Sequence, residues 1–287
     1  MKKLTEPDSS KADKLLDKVI SRKKNEGYIN SLNANKAYII RRYSVYETEN
    51  KNLEKIGLSA ITSENDKEAI HSAFNTAFKK NIKKKELNLI YEKCQGVCPY
   101  CGDGRLEEVD HYVPKEEYPE FTLYPGNLIP LCNKCNKKKG AKFLDNTNKR
   151  QFINFYYDDI DNIDFLKIDI TYNPFNIRKT IKIEYSADFM RISDIYLRDI
   201  VLKHYDNLSL LERYEDAAVN EISELLMVVI NQSNREEDDI KLWATMTIEG
   251  NMKGQLKKAG KNDWKYLLYS KLLEINFIND LILYVKR

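Results

Sequence analysis

The chain has 287 residues, of which 42% are apolar and 32% charged, as is usual for a soluble globular protein of one or two domains. The formal net charge of +3 does not by itself indicate a nucleic-acid-binding protein. No stretch approaches the roughly 18 consecutive apolar residues of a transmembrane helix, and the first residues lack the apolar core of a signal peptide. We therefore expect a cytoplasmic protein with no membrane partner.

Residues 1–93 are predicted to form an N-terminal helical segment, because apolar residues recur there at helical spacing. Gly27 is expected to end the first helix, since glycine often follows the last turn. Ser63, with Asp66 three residues later, resembles the capping box that starts a helix. The expected helices cover residues 10–26, 28–46, a segment beginning after Ser63, and 82–93.

Residues 151–287 are predicted to form a C-terminal β-hairpin and helical region. Apolar and polar residues alternate over 166–172 and again over 181–185, which predicts two antiparallel strands. In the helical part that follows, Ser209 is expected to cap one long helix and Asp263 to open another. A solvated turn is expected to hold four acidic residues, with a second metal site as the alternative: Asp158, Asp159, Asp161 and Asp164.

The central region, 94–150, contains two Cys-x-x-Cys pairs. Each pair brings two sulfurs to one point, so four thiolates can complete a closed tetrahedral zinc site. The 30 residues between the pairs exceed the roughly 15–20 of an ordinary zinc ribbon, which leaves room for a functional element. Cys94 is expected to be a partly buried thiol outside the site. The predicted zinc ligands are Cys98, Cys101, Cys132 and Cys135.

Polar residues in and after this interval have a characteristic order. Asp110-His111 and Asn127-Leu128 lie between the cysteine pairs, and Asn136 follows the second pair, three residues before Lys139-Gly140. This order resembles HNH endonucleases in their zinc-bearing, Asp-His/Asn/Asn form. The resemblance covers about residues 94–143 and implies a ββα-metal module: strands over 106–110 and 127–131, then a helix from about Lys134. The string from Asp110 to Lys115 also resembles HNH subunits of phage-defence systems of the Septu type, which work beside an ATPase.

The resemblance implies a role for each polar residue of the motif. Asp110 and Asn136 would be oxygen ligands of a catalytic Mg²⁺ or Mn²⁺, separate from the structural Zn²⁺. His111, largely neutral at pH 7, would be the general base, and Asn127 would hold its orientation. Because neighbouring residues of a strand face opposite sides, we expect the chain to bend after Asp110, near Pro114, so that both residues serve one site.

Lysine-rich runs occur twice in the chain. The first, within residues 79–85, is expected to be solvated surface. The second, within residues 134–142, lies inside the motif, and there Lys138 and Lys139 are expected to contact backbone phosphates.

The predicted fold class is α+β, with the HNH nuclease module over residues 94–150 between the two flanking regions. The predicted function is a metal-dependent endonuclease that cleaves DNA phosphodiester bonds in anti-phage defence, with an ATPase partner. Cleavage of RNA is one alternative, and a zinc-stabilised module that binds nucleic acid or protein without catalysis is another. A stand-alone restriction or homing nuclease is a third.

Overall fold

The computed structural model describes residues 1–79, 92 and 94–286. Over these residues the fold is mixed α+β, mostly helical with two small antiparallel sheets, which confirms the predicted class. It comprises two compact units, residues 3–158 and residues 159–287, and the latter also includes residues 1–2. The boundaries predicted at residues 93 and 150 remain predictions. The helix expected over 82–93 and most of the first lysine run lie outside the described residues.

Three long helices begin the unit of residues 3–158: α1 (Ala12–Ile20), α2 (Glu26–Thr48) and α3 (Glu64–Lys79). Gly27 was predicted to end α1, and this was wrong, because Gly27 lies in the first turn of α2. Asn25 determines where α2 starts: its backbone is extended and its side chain accepts a hydrogen bond from the Tyr28 amide. An asparagine at this position satisfies one of the free N–H groups of the first turn.

The centre of this unit is a short hairpin followed by a helix: β1 (Glu108–His111), β2 (Leu128–Leu131) and α4 (Asn133–Lys139). The strands are antiparallel, and Asp110 lies opposite Ile129. The chain bends at Tyr112 and Val113, at the end of β1 and before Pro114 as predicted, but this bend follows both Asp110 and His111. His111 is still in β1, and the Tyr112 amide continues the ladder with a 2.8 Å bond to the Asn127 carbonyl oxygen. Asp110 and His111 therefore belong to one regular strand, whose successive side chains alternate between its faces.

Aromatic packing holds the loop between β1 and β2 against α2. The ring of Tyr46 lies 5.0 Å from that of Phe121 and 4.9 Å from that of Tyr124, measured between centroids. A buried ion pair joins the same elements, with Arg42 Nε 2.8 Å from Glu120 Oε1. Because ring packing and a buried charge pair constrain the loop together, the residues that it carries have fixed positions.

A second buried ion pair lies at the end of this unit. Asp158 was expected in a solvated turn, and this was wrong, since its side chain is buried against Arg150. The two carboxylate oxygens accept from the guanidinium nitrogens at 2.9 and 3.2 Å. Arg150 also donates to the Lys51 carbonyl oxygen at 2.9 Å and lies 3.5 Å from Glu54 Oε2. Bidentate pairing of this kind compensates the desolvation of both charges.

The unit of residues 159–287 contains the second hairpin, β3 (Leu166–Thr171) and β4 (Lys182–Ala187), as predicted. Asp263 caps a helix as predicted, accepting from the Tyr266 amide at 2.9 Å. Ser209 lies at the N-cap of the helix Leu210–Asn231 as predicted, in a left-handed conformation (φ 49°) and without a side-chain bond to the first turn. The helices are α5 (Ile177–Thr180), α6 (Ile195–Leu208), α7 (Leu210–Asn231), α8 (Glu237–Ala259), α9 (Trp264–Glu274) and α10 (Phe277–Val285).

The hairpin of this unit is packed between helices, with α7 against β4 and α9 against β3. Among the described residues, no helix combines the length and the apolar character needed to cross a membrane.

Candidate active site and metal centres

Four buried cysteines converge beside the β1–β2 hairpin: Cys98, Cys101, Cys132 and Cys135. Their sulfur atoms all lie within 4.8 Å of one another, and the sulfurs of Cys101 and Cys132 are 3.9 Å apart. Tetrahedral zinc with bonds of about 2.3 Å requires sulfurs roughly 3.8 Å apart. Number, type and spacing of the ligands therefore fit a structural zinc ion. Cys94 is also buried but is not part of this cluster.

Backbone amide groups donate hydrogen bonds to two sulfurs of the cluster, which favours the negatively charged form that binds a cation. The Gly104 amide donates to Cys101 Sγ at 3.3 Å, and the Cys135 amide donates to Cys132 Sγ at 3.4 Å. Hydrogen bonding within the cluster lowers the pKa of Cys132 and raises that of Cys135, because the thiols share their hydrogens until a metal displaces them. Gly104 has no room for a side chain, because an added Cβ would lie 2.5 Å from Cys132 Sγ.

Polar side chains from β1 and α4 meet at a second place on the hairpin. Glu108 and Asp110, two residues apart on β1, share one face of the strand. Asn136 and Lys139, three residues apart, share one face of α4. Asn136 Nδ2 donates a hydrogen bond to Glu108 Oε2, and Lys139 Nζ lies 2.7 Å from Asp110 Oδ2. The structure thus brings Asp110 and Asn136 to one surface and adds Glu108 and Lys139 beside them.

The donors at this surface fit a hard cation such as Mg²⁺ or Mn²⁺. Asp110 offers a carboxylate that is 19% exposed, with Oδ2 buried against Lys139. The amide of Asn136 bonds Glu108 through its nitrogen, and a cation would take its oxygen. One carboxylate and one amide oxygen form a sparse set, which suits an ion that keeps several waters and binds substrate phosphate.

The side chain of His111 contacts the loop between the strands and helix α3. Its Nε2 lies 3.0 Å from the carbonyl oxygen of Thr122, and its ring lies 4.7 Å from that of Phe74 on α3. A carbonyl oxygen only accepts, so Nε2 carries the hydrogen, and in the neutral ring Nδ1 keeps its lone pair. The side chain is buried, and this desolvation lowers the pKa of His111 to about 4. At pH 7 the imidazole is therefore neutral, with Nδ1 able to accept a proton.

Asn127 is fully buried directly before β2 and joins the two ends of the hairpin loop. Its Oδ1 accepts from the Val113 amide at 2.7 Å. Its Nδ2 donates to the carbonyl oxygens of Val113 at 3.1 Å and Phe121 at 3.2 Å. Phe121 immediately precedes Thr122, whose carbonyl oxygen bonds His111. Asn127 thus holds the segment that orients His111, which is compatible with the role predicted for it.

The two lysines predicted to contact phosphate have different surroundings. Lys138 is half-buried near the end of α4. Lys139 is buried and binds Asp110, and it also donates to the His111 carbonyl oxygen at 2.8 Å. Phosphate contact remains a prediction for both residues, and the arrangement favours it for Lys138 only.

Three residues that lie around Asp110, Asn136 and His111 were not predicted from the sequence. The position of Glu108 could have been predicted, because a carboxylate two residues before Asp110 on a strand lies on the same face as Asp110. The contacts of Phe74 and Thr122 could not have been predicted: each reaches His111 through tertiary packing, and neither residue type indicates such a contact.

Residues 98–142 match the HNH endonuclease family. They contain the cysteine cluster, both strands of the first hairpin and α4. This segment of the chain is therefore similar to the HNH endonucleases, a family of nucleases.

Two curated proteins are similar to parts of the chain. Protein ea31 of Escherichia phage lambda is 27% identical over 186 residues, which are 61% of this chain and 60% of ea31. Septu protein PtuB of Bacillus thuringiensis is 35% identical over 57 residues, 18% of this chain and 22% of PtuB. Each match thus spans less than two thirds of the relative's length. No solved structure shows significant similarity.

Proposed function

We propose that this protein is a metal-dependent endonuclease that hydrolyses DNA phosphodiester bonds, leaving 5′-phosphate and 3′-hydroxyl ends. The observation that carries the proposal is the state of His111: neutral, held through Nε2 by the Thr122 carbonyl, and next to Asp110 in the strand. This arrangement lies within the segment that matches the HNH endonuclease family.

His111 acts as the general base. Its Nδ1 takes the proton from the water that attacks phosphorus, and the bond from Nε2 to the Thr122 carbonyl strengthens as the ring becomes positive. A base with a pKa of about 4 is weak at pH 7. The negative charge of a bound phosphate raises that pKa toward the range in which proton transfer is efficient.

Asp110 and Asn136 are the residues that would hold Mg²⁺ or Mn²⁺. When bound, such an ion stabilises negative charge on the phosphoryl oxygens and on the departing 3′ oxygen. Glu108 orients the amide of Asn136 through their hydrogen bond. Lys138, at the end of the same helix, contacts the nucleic-acid backbone.

Anti-phage defence beside an ATPase partner is the biological context that we propose. It is supported by the similarity to Septu protein PtuB, which falls on 57 residues. Purification of the tagged protein from its native operon tests the partnership. Recovery of an ATPase subunit in a fixed ratio is the expected result, and full activity of the isolated chain without any partner would contradict it.

Cleavage of supercoiled plasmid in Mg²⁺ or Mn²⁺ tests the catalytic proposal. Replacing His111 with alanine removes the base and should slow nicking by about 10²–10⁴-fold. His71→Gln is the matched control, since His71 lies in the same unit and bonds a backbone carbonyl, that of Lys115, at 3.0 Å. Nicking by His111→Ala at the wild-type rate would refute the mechanism.

The same assay separates the alternative functions. Single- and double-stranded RNA digested in parallel with DNA shows whether the sugar matters, and faster cleavage of RNA would reassign the substrate. Retarded DNA without nicks in Mg²⁺ or Mn²⁺, identical to an EDTA control, would indicate a zinc-stabilised binding module instead.

A further inference from the structure

Lys139 carries a buried positive charge in contact with the predicted metal ligand. Its side chain is 2% exposed, and its ammonium group lies 2.7 Å from Asp110 Oδ2. It also donates to the backbone carbonyl oxygens of His111 at 2.8 Å and Gly140 at 3.3 Å. The contact with Asp110 Oδ2 is an ion pair, and the two carbonyl oxygens each accept one of the three hydrogens of the ammonium group.

This arrangement keeps the ammonium ion in place. A buried charge is costly unless it is paired and hydrogen-bonded, and Lys139 meets both conditions in its present position. Moving it to the surface would leave Asp110 Oδ2 buried without a counter-charge. The pair is therefore a stable part of the fold rather than a surface contact.

The pair changes how Asp110 can bind a divalent cation. Asp110 is the single carboxylate among the predicted ligands, and Lys139 already neutralises it. A divalent cation on the same carboxylate would lie roughly 5 Å from the ammonium group, where even the dielectric constant of bulk water leaves a repulsion worth about a tenfold loss of affinity. A phosphate placed beside them supplies the missing negative charge.

We propose that Lys139 is a resident counter-cation that keeps divalent-metal binding at Asp110 weak until a nucleic-acid phosphate is present. The inference rests on the proposed nuclease function. It makes metal and substrate bind together: each is held poorly alone, and the phosphate offsets the excess positive charge that Lys139 and the metal create.

Lys139 also positions the base, because its bond to the His111 carbonyl oxygen ties α4 to the end of β1. Loss of the ammonium group therefore has two opposite effects. Metal binding becomes tighter as the repulsion disappears, and cleavage becomes slower as Asp110 and His111 lose a common support. A purely structural lysine would on removal weaken both.

Binding of Mn²⁺ to the zinc-loaded full chain without nucleic acid, measured by electron paramagnetic resonance, tests this inference. Lys139→Met keeps the length of the side chain without its charge and should bind Mn²⁺ at least about tenfold more tightly than wild type. Its plasmid cleavage should be at least about tenfold slower. Lys137→Met, on the exposed side of α4, is the matched control and should bind Mn²⁺ as wild type does. Adding Asp110→Asn to Lys139→Met should abolish the gain.

The wild-type protein provides a second measurement should Lys139→Met not fold. Its Mn²⁺ affinity should rise at least about tenfold when a duplex with a non-hydrolysable backbone is added. Unchanged or weaker Mn²⁺ binding by folded Lys139→Met, or an affinity in wild type that the duplex does not alter, would overturn the inference. If the wild-type protein cleaves no nucleic acid but Lys139→Met still binds Mn²⁺ more tightly, the nuclease function is rejected and the effect of Lys139 on metal binding is retained.

Discussion

The cysteine cluster and the surface between β1 and α4 are both suited to a cation, and they are built in opposite ways. In the cluster, four buried sulfurs converge within 4.8 Å and have one another as neighbours. On the other surface, the two predicted ligands already have partners, since Asp110 is paired with Lys139 and Asn136 with Glu108. The first arrangement is closed around its ion. The second pairs each predicted ligand with a neighbouring side chain and stays open to solvent at Asp110.

The difference matches the different tasks proposed for the two ions. A structural ion is bound permanently, so its ligands need no alternative partners and can be shielded from water. A catalytic ion must leave coordination positions for water and phosphate, so its protein ligands are few and need other contacts when it is absent. Two sites beside one small hairpin can therefore differ by many orders of magnitude in affinity.

The largest expected effect on stability comes from removing one ligand of the cysteine cluster. Cys135→Ser should remove the zinc ion and with it a contribution on the order of 10 kcal/mol, because the unfolded chain does not gather the ligands. We expect one zinc per chain in the wild type by elemental analysis, and none in the variant, together with loss of the cooperative unfolding transition of this unit. Cys94→Ser is the control, since Cys94 is buried but outside the cluster. A zinc-free variant with unchanged thermal stability would remove the distinction between the sites.

The next effect concerns His111 and the pH dependence of folding. Burial lowers the pKa of His111 to about 4, whereas the unfolded chain titrates near its usual value of 6.5. Between these values the unfolded state binds more protons than the folded state. The contribution of His111 to the stability of the folded state is therefore complete above pH 6.5 and disappears as the pH falls to about 4. The shift corresponds to on the order of 3 kcal/mol. Denaturant unfolding at several pH values should show this slope in wild type and its absence in His111→Gln; parallel curves for the two proteins would contradict the burial of the base.

The smallest effect tests the fit of the cysteine cluster. In Gly104→Ala the new methyl group would meet Cys132 Cβ and Sγ at 2.5 Å, which should cost about 1–3 kcal/mol. Zinc affinity, measured with a competing chelator, should fall in parallel with the melting temperature. Gly250→Ala is the control: no atom lies within 4 Å of its added methyl group, and in the middle of α8 it should stabilise by about 0.5–1 kcal/mol. Equal effects of the two substitutions would show that the cluster is not tightly packed.

Much of the central module follows from sequence because its determinants are local. Two residues separate the cysteines of each pair, so a single turn brings each pair of sulfurs together. The alternating strands β3 and β4 follow in the same way from periodicity. The order of Asp110, His111, Asn127 and Asn136 also indicates the module, although their individual roles remain proposals.

Features that depend on distant partners were not predictable in this way. Lys139 is one of several lysines in the second lysine-rich run, and only the packing of α4 on β1 distinguishes it from its exposed neighbour Lys137. Asp158 lies among acidic residues, and its burial depends on the ion pair with Arg150. In both cases the residue type favours the surface, and a single opposite charge inside the fold overrides that preference.

The side-chain amide of Asn127 fixes the register of the β1–β2 hairpin as well as the loop between its strands. It clamps both backbone groups of Val113, just beyond the last pair of the β1–β2 ladder. A slip of the strands by one residue would turn every side chain of β1 to the other face, so that an imidazole would replace the carboxylate opposite Lys139. A hydrogen-bonding group with no chemistry of its own thus selects which of two adjacent residues can become the metal ligand and which the base.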